Sequence, residues 1–274
     1  MQIEVLLIGD VVGKPGRDIL AERLPRYVEE ERIDFVIANG ENAAQGSGIT
    51  PNLFKELVGA GVDVVTLGDH AWRRREALPL LEKEVRLLRP LNYPPECTGR
   101  GMGSYRTRSG VKISLITLLG RIFLAPVDCP FHGVDNALKL LGGEGGLIFV
   151  EIHAEATSEK IAMGWKLAGR VSCVFGTHTH VPTADERILP GGTAYITDLG
   201  MTGPYDSVIG IDKSLALKKF LTGMPVRFTT AKRDPRMCGV ILEVDETSGR
   251  ALAIERFQVR ADGEPSGAGD ANPV

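Results

Sequence analysis

The feature that most constrains this 274-residue chain is a series of short apolar runs that each end at an acidic residue or a histidine. Runs of this length, separated by segments of helical periodicity, are typical of the strands of an α/β protein. In such proteins ligands bind beyond the carboxyl ends of the strands. We therefore expect the polar residues that follow the runs to meet at one rim, and these are Asp10, Glu41, Asp69, His153 and His178.

The apolar pattern predicts an order of elements for a single α/β domain over residues 1–260. Strands are predicted over residues 4–8, 33–38, 62–67, 147–152, 171–175 and 193–197. Helices are predicted over residues 17–30, 73–84, 134–141, 158–168 and 214–221. Alternating β-branched runs predict antiparallel strands over residues 226–231, 238–244 and 252–259.

Glycine, proline and hydroxyl residues add the connections. Gly13 and Gly16 predict a tight loop between the first strand and the first helix. Thr50-Pro51 predicts the start of another helix, because threonine can cap it and proline is tolerated at the first helical position. Two runs that flank Ser109-Gly110 indicate a hairpin over residues 105–118.

The last residues, 261–274, differ in composition from the rest of the chain. They are rich in glycine, proline and aspartate and contain almost no large apolar residue. Such a segment cannot bury enough apolar surface to offset the entropy lost on ordering, so we expect a disordered tail.

Composition excludes several classes of function. The chain carries a net charge of −3, which gives no electrostatic case for binding a long nucleic acid. No apolar run reaches the ~20 residues of a membrane span, and the first residues resemble a strand rather than a signal peptide. The four cysteines form no C-x-x-C pair, which favours reduced thiols and a cytoplasmic protein.

The segment Gly176-Thr177-His178-Thr179-His180 places two histidines at positions i and i+2. An extended chain would put both imidazoles on one side, where they could bind metal. An isolated His-x-His pair is as often structural. Here the chain holds only five histidines, and acidic residues recur in the same position after apolar runs, so we favour a metal site.

Carboxylates and imidazoles without thiolates suit Mn²⁺, Fe or Zn²⁺. One catalytic ion needs three or four protein ligands, whereas two ions that share a carboxylate can use more. Two ions ~3.5–4 Å apart can hold a bridging hydroxide and clamp a phosphoryl group for in-line attack. The candidate ligands are numerous enough for two ions, and they are Asp10, Glu41, Asn42, Asp69, His153, His178 and His180.

Several motifs resemble those of the YmdB-like phosphodiesterases, a bacterial group of calcineurin-like metallophosphoesterases. The similarity runs from Ile3 to about Val259. The motifs that carry it are Ile8-Gly9-Asp10-Val11-Val12-Gly13, Asn39-Gly40-Glu41-Asn42-Ala43-Ala44, His153-Ala154-Glu155-Ala156-Thr157-Ser158-Glu159-Lys160, Gly176-Thr177-His178-Thr179-His180-Val181, Tyr195-Ile196-Thr197-Asp198 and Met201-Thr202-Gly203-Pro204-Tyr205.

This resemblance implies a four-layer α/β/β/α sandwich with a dinuclear metal centre. It also implies hydrolysis of phosphodiesters, including 2′,3′-cyclic nucleotides to 3′-nucleotides, with RNA ends as a further substrate, and a homo-oligomer. By motif position, one metal would be held by Asp10, Asn42 and His180. The other would be held by Asp69, His153 and His178, with Glu41 as the bridging ligand.

Two positions depart from the related patterns. The family usually has Gly-Asn-His where this chain has Gly68-Asp69-His70, so the site gains one negative charge. More negative ligands should bind metal more tightly but stabilise the charge of the transition state less. The wider superfamily also has Asp-x-His in its first motif, whereas Val11 and Val12 follow Asp10 here.

His70 is expected to be the general acid that protonates the leaving 2′ oxygen, because an imidazole titrates near neutral pH. Its alternative role is a further ligand or a hydrogen-bonding partner of a ligand. Two other functions stay open. One is a regulatory RNA- or protein-binding module with little turnover, and the other is a phosphomonoesterase or nucleotidase on the same centre.

Overall fold

The computed structural model describes residues 2–142 and 146–261. Within these ranges the chain forms two β-sheets packed face to face, with helices on both outer faces. The fold is therefore the α/β/β/α sandwich that the resemblance implied, in a single domain. The predicted tail over residues 261–274 lies outside the described residues except for Ala261.

The strands and helices are numbered in chain order. The strands are β1 (Gln2–Ile8), β2 (Asp10–Val11), β3 (Phe35–Asn39), β4 (Val64–Thr66), β5 (Leu87–Leu88), β6 (Met102–Arg106), β7 (Lys112–Leu119), β8 (Leu147–His153), β9 (Cys173–Thr177), β10 (Arg187–Leu189), β11 (Thr193–Ile196), β12 (Met201–Pro204), β13 (Pro235–Asp245) and β14 (Ala251–Arg260). The helices are α1 (Gly13–Glu30), α2 (Pro51–Gly59), α3 (Leu78–Lys83), α4 (Pro130–Leu141), α5 (Thr157–Leu167) and α6 (Lys213–Thr222).

The first sheet has the order β2-β12-β13-β1-β3-β4-β5, and β14 pairs along the other side of β13. Strands β1, β3, β4 and β5 run parallel, whereas β13 runs antiparallel to β1. The second sheet has the order β10-β11-β9-β8-β7-β6, with β7, β8, β9 and β11 parallel. The carboxyl ends of the parallel strands thus supply the loops that carry the candidate ligands.

Three apolar clusters hold the layers together. The central cluster lies between the sheets and contains fully buried side chains such as Leu7 from β1 and Phe149 from β8. Helices α1 and α2 cover the outer face of the first sheet, for example through Leu20 and Phe54. Met163 of α5 packs on the second sheet. Burying one such side chain stabilises the fold by about 1.5–3 kcal/mol.

The ends of most predicted strands and helices are confirmed within one to three residues, and β6 and β7 form the predicted hairpin. The predicted helix start at Thr50 is also confirmed, because its hydroxyl accepts the Leu53 N–H at 3.4 Å. The predicted loop at Gly13 and Gly16 is wrong, because α1 already begins at Gly13. A Cβ on Gly16 would clash with the Thr202 carbonyl oxygen. The glycine therefore lets α1 approach β12 rather than forming a turn.

Two other predictions are wrong. The helix over residues 73–84 is a 3-10 turn followed by the short helix α3, and Pro79 stands in the first turn of α3, where its missing N–H breaks the longer helix. Residues 226–231 form no strand beyond one bridge between Ile211 and Thr230. Both edges of β13 are already paired, with β1 and β12 on one side and β14 on the other, so no edge remains for this segment.

Across the described ranges, no helix combines the length and apolarity that crossing a membrane needs.

Candidate metal centre

All seven candidate ligands and His70 lie together at one end of the two sheets. Asp10, the Glu41–Asn42 pair and Asp69 follow β1, β3 and β4 of the first sheet. The histidines come from the second sheet, with His153 at the end of β8 and the other two after β9. The predicted convergence of these residues beyond the strand ends is confirmed. Their role as metal ligands stays a prediction.

Four of the candidates form one tight group. Atoms of Glu41, Asp69, His153 and His178 lie within 4.8 Å of one another. The Nε2 atom of His153 is at the middle, 3.0 Å from Glu41 Oε1, 3.3 Å from Asp69 Oδ1 and 3.0 Å from His178 Nδ1. Two carboxylates and two imidazoles at these distances form a donor set that could hold Mn²⁺, Fe or Zn²⁺.

The remaining candidates lie beside this group. His180 Nε2 is 3.0 Å from Asn42 Nδ2 and 3.8 Å from Asp10 Oδ1. Rotation of the Asn42 amide by 180° would exchange its two atoms and turn the oxygen towards His180. Glu41 Oε1 lies 3.5 Å from Asn42 Nδ2 as well as close to His153, so its carboxylate stands between the two groups, as a bridging ligand requires.

One buried oxygen indicates that the site fits a cation. Asp10 is fully buried, and its Oδ1 atom has no hydrogen-bond partner among the described residues. Its Oδ2 atom accepts the His178 N–H at 3.1 Å. An unpaired buried carboxylate oxygen is unfavourable unless a cation satisfies it. A metal ion between Asp10 and His180 would do so.

The electrostatics of the group favour positive charge at its centre. Burial would lower the pKa of His153, but the facing Glu41 and Asp69 carboxylates raise it well above its usual value. Burial alone would raise the pKa of Glu41, yet His153 holds it below its usual value. Burial raises the pKa of Asp10 to about 6, against the attraction of His180. Burial and the charge of His153 lower the pKa of His178 to about 4.

Glu151 orients His153 and was not found from the sequence. The Thr177 hydroxyl donates to Glu151 Oε1 at 2.8 Å, so it accepts from His153 Nδ1 at 2.9 Å. This leaves the Nε2 lone pair facing the proposed metal, as in many carboxylate-supported histidine ligands. Glu151 is fully buried and stands two residues before His153 in β8. Because residues i and i+2 share a face of a strand, this spacing could have revealed it.

The prediction of an extended His-x-His segment is wrong. Strand β9 ends at Thr177, and φ is 99° at His178 and 65° at His180. Positive φ is uncommon for residues other than glycine and must be held by the surroundings. The two rings consequently diverge, His178 towards His153 and His180 towards Asn42. This divergence suits two neighbouring ions better than one.

A buried ion pair holds this histidine turn. Asp198 Oδ2 accepts the Thr179 N–H at 3.1 Å and the Thr179 hydroxyl at 2.8 Å. The same oxygen lies 2.6 Å from Lys160 Nζ, and both side chains of the pair are fully buried. A Cβ on Gly176 would lie 2.8 Å from the Lys160 stem. Three of the sequence motifs thus meet in one structural unit.

His70 stands at the edge of the centre. Its Nδ1 lies 3.2 Å from Asn42 Oδ1 and 3.5 Å from Glu41 Oε1, and its Nε2 lies 3.6 Å from Asp69 Oδ2. The ring is about a quarter exposed, whereas His153 is fully buried. It also lines the cavity of 720 Å³ in front of the centre. His70 can therefore reach a bound molecule as well as the ligand side chains.

The chain is similar to several known proteins. The sequence profile of the YmdB-like protein family matches residues 6–257. The chain is 44% identical over 260 residues to the 2′,3′-cyclic-nucleotide 2′-phosphodiesterase of Bacillus subtilis, covering 95% of this chain and 98% of that protein.

Two crystal structures have the same fold. A hypothetical protein from Thermus thermophilus is 45% identical with a TM-score of 0.88, covering 94% of this chain and 99% of that one. A Mycoplasma pneumoniae protein described as a novel phosphatase is 34% identical with a TM-score of 0.89, covering 95% and 94%. With nearly complete coverage and a profile match over most of its length, the chain belongs to the YmdB-like protein family.

Proposed function

We propose that this protein is a metal-dependent phosphodiesterase that hydrolyses 2′,3′-cyclic nucleotides to 3′-nucleotides. The observation that carries the proposal is the convergence of seven candidate ligand side chains beside a partly exposed histidine, four of them with donor atoms within 4.8 Å of one another. The activity named for the Bacillus subtilis relative, with 98% of that protein covered, supports the same reaction.

The donor set fits two ions of Fe or Mn, with Zn²⁺ as a further candidate. Asp10, Asn42 and His180 would hold one ion. Asp69, His153 and His178 would hold the other, with Glu41 shared. When bound, such ions supply an activated water and stabilise the charge that develops on phosphorus.

The chain's own residues contribute positioning and proton transfer. The backbone N–H groups of Gly68 and His70 donate to Glu41 Oε2 at 2.7 and 3.1 Å, which fixes the shared carboxylate. Thr177 and Glu151 fix the His153 ring. His70 would donate its proton to the 2′ oxygen as the ester bond breaks, so that the phosphate stays on the 3′ oxygen.

The His70→Ala substitution tests this role. With two Mn²⁺ ions retained per chain, hydrolysis of 2′,3′-cyclic AMP should fall by about 10²–10⁴-fold. Hydrolysis of bis(p-nitrophenyl) phosphate should fall much less, because its leaving group needs no proton. His132→Ala is the matched control, since it removes the one histidine outside the centre, which is exposed on α4. Full activity in His70→Ala would refute the general-acid role, whereas loss of bound metal would indicate the alternative role of His70 as a further ligand.

The same assays separate the other candidate functions. Faster hydrolysis of 3′-AMP than of its cyclic precursor would indicate a phosphomonoesterase or nucleotidase. Two bound Mn²⁺ ions with negligible turnover of either ester would indicate a regulatory module that binds RNA or protein.

Location and assembly stay part of the proposal. We propose a cytoplasmic location, and the four free cysteines are compatible with its reducing conditions. We also propose a homo-oligomer, which chromatography with light scattering would test.

A further inference from the structure

A second cavity adjoins the cavity in front of the metal centre. The first has a volume of 720 Å³ and is lined by His70, His178 and His180. The second has a volume of 570 Å³ and lies between α1 and residues 227–232. Both cavities share Gln45, Phe228, Thr229 and Thr230 as lining residues. The two cavities therefore adjoin along this segment, and together we call them the cleft beside the metal centre.

The two halves of the cleft differ in charge. None of the described residues that line the first cavity is lysine or arginine. The second cavity is lined by three cations, Lys14, Arg227 and Lys232. A molecule extending from the metal centre would thus meet positive charge only in the second cavity.

The acidic residues of the second cavity already have partners. Lys14 Nζ lies 2.8 Å from Asp18 Oδ1, and Arg23 Nε lies 3.3 Å from Glu22 Oε1. Arg227 and Lys232 are exposed and have no ion-pair partner within residues 2–142 and 146–261. These two side chains are free to bind an anion.

Phe228 stands where the two cavities join. Its ring is 46% exposed and contacts no other aromatic ring in the described part of the chain. It belongs to the segment whose sequence predicts a strand but which pairs only through Thr230. The segment therefore presents an exposed aromatic side chain together with the two exposed cations Arg227 and Lys232. Aromatic faces and cations are the groups that bind single-stranded nucleic acid.

We propose that the cleft binds a short oligonucleotide whose 3′ end carries the 2′,3′-cyclic phosphate. This inference rests on the proposed phosphodiesterase function and extends it to a substrate class. The terminal nucleotide would occupy the first cavity, and the preceding base would stack on Phe228. The phosphates on its 5′ side would bind Arg227 and Lys232. Each cavity lies within the ~300–1,000 Å³ range of small-ligand sites.

This subsite is compatible with the net charge of −3, because only a local pair of cations is involved. It predicts preference for an oligonucleotide over a mononucleotide but no affinity for long duplexes. The salt dependence should be small, with a slope that corresponds to one or two phosphates.

The experiment compares two substrates with Mn²⁺-reconstituted protein. The substrates are 2′,3′-cyclic AMP and the trinucleotide ApApA with a 2′,3′-cyclic phosphate end. We expect kcat/KM to be at least about tenfold higher for the trinucleotide, which corresponds to one charge-assisted hydrogen bond. In the Arg227→Ala/Lys232→Ala variant this advantage should fall through KM to the part that stacking on Phe228 supplies. The salt slope should fall by about 1 for each phosphate that is no longer bound.

Lys55→Ala/Lys83→Ala is the matched control, because it removes the same charge from exposed positions on α2 and α3. It should retain the trinucleotide advantage. Equal kcat/KM for both substrates in the unmodified protein, or the same loss in the control variant, would overturn the subsite. If neither substrate is hydrolysed, the proposed function fails. Binding of ApApA-3′-phosphate, measured by fluorescence anisotropy, then tests the oligonucleotide subsite independently. The subsite is supported if Arg227→Ala/Lys232→Ala weakens this binding and is refuted if it does not.

Discussion

Replacing Lys160 with methionine should destabilise the protein and loosen the histidine turn. Lys160 and Asp198 are both fully buried, with Nζ and Oδ2 only 2.6 Å apart. Methionine has nearly the same length but leaves Asp198 charged and unpaired. Removing one partner of a buried pair typically lowers the free energy of unfolding by about 3–5 kcal/mol. For a chain of this size that corresponds to a fall in Tm of about 10 °C.

The double variant Lys160→Met/Asp198→Asn separates charge from packing. It removes the unpaired carboxylate, while the amide oxygen of the introduced asparagine can still accept from Thr179. We expect it to recover at least half of the lost stability, which gives a coupling energy of about 2 kcal/mol or more. Arg26→Met is the control, because its pair with Glu30 is exposed and should contribute less than about 1 kcal/mol.

Urea denaturation measures the stability, and equilibrium dialysis against Mn²⁺ measures the metal affinity of the folded variants. Since Thr179 lies between the two histidines, Lys160→Met should weaken Mn²⁺ binding by about 10–100-fold. A loss of less than about 1 kcal/mol in Lys160→Met, with no recovery in the double variant, would show that this ion pair does not stabilise the histidine turn. Unchanged Mn²⁺ affinity in a destabilised protein would limit the pair to a structural role.

Three further substitutions test other parts of the structure. Glu151→Gln should weaken Mn²⁺ binding by about 10–100-fold through the His153 ring, and unchanged affinity in dialysis would contradict this. Asp69→Asn should lower Mn²⁺ affinity and raise kcat, each by about tenfold, because the centre becomes more positive; an opposite change in kcat would refute the charge argument. Partial burial and the facing Glu243 raise the pKa of Glu4 to about 6, from 4.5. The folded protein therefore binds the Glu4 proton more tightly than the unfolded chain does. The contribution of this proton to stability is fully present below about pH 4.5 and is lost as the pH rises through about 6. After allowance for solvent screening, Glu4→Gln should stabilise the protein by about 1 kcal/mol at pH 7 and by nearly nothing at pH 4, as urea denaturation at both values would show.

Local sequence patterns predicted most strands and the rim, whereas the four layers were implied only by the family resemblance. Strands β1, β3 and β8 each contain four consecutive apolar residues that are followed within two positions by a polar residue, so these strand ends were visible in the sequence. The convergence of their terminal residues follows from parallel pairing.

Features that depend on distant contacts could not be predicted in this way. Helix α1 begins at Gly13 because Gly16 packs against the backbone of β12, which lies far along the chain. The turn at His178 has positive φ because Asp198 and Lys160 hold Thr179, and neither contact is encoded by the His-x-His spacing. The divergence of the two imidazoles therefore emerges only from the packed structure.

Residues 226–231 illustrate a local pattern that tertiary structure overrides. Their β-branched residues favour a strand, but the edges of β13 are occupied and Phe228 stays exposed beside the cleft. Such disagreements between local pattern and fold are often found at functional sites. This is the segment that we assign to oligonucleotide binding.

The most direct test of the account is hydrolysis of 2′,3′-cyclic AMP by chelator-treated protein before and after addition of Mn²⁺. The product isomer is identified by chromatography, and bound metal is counted in the same sample. We predict no turnover without metal, and two Mn²⁺ ions per chain with 3′-AMP as the product after addition. Absence of turnover in the metal-loaded protein, or release of 2′-AMP, would contradict it.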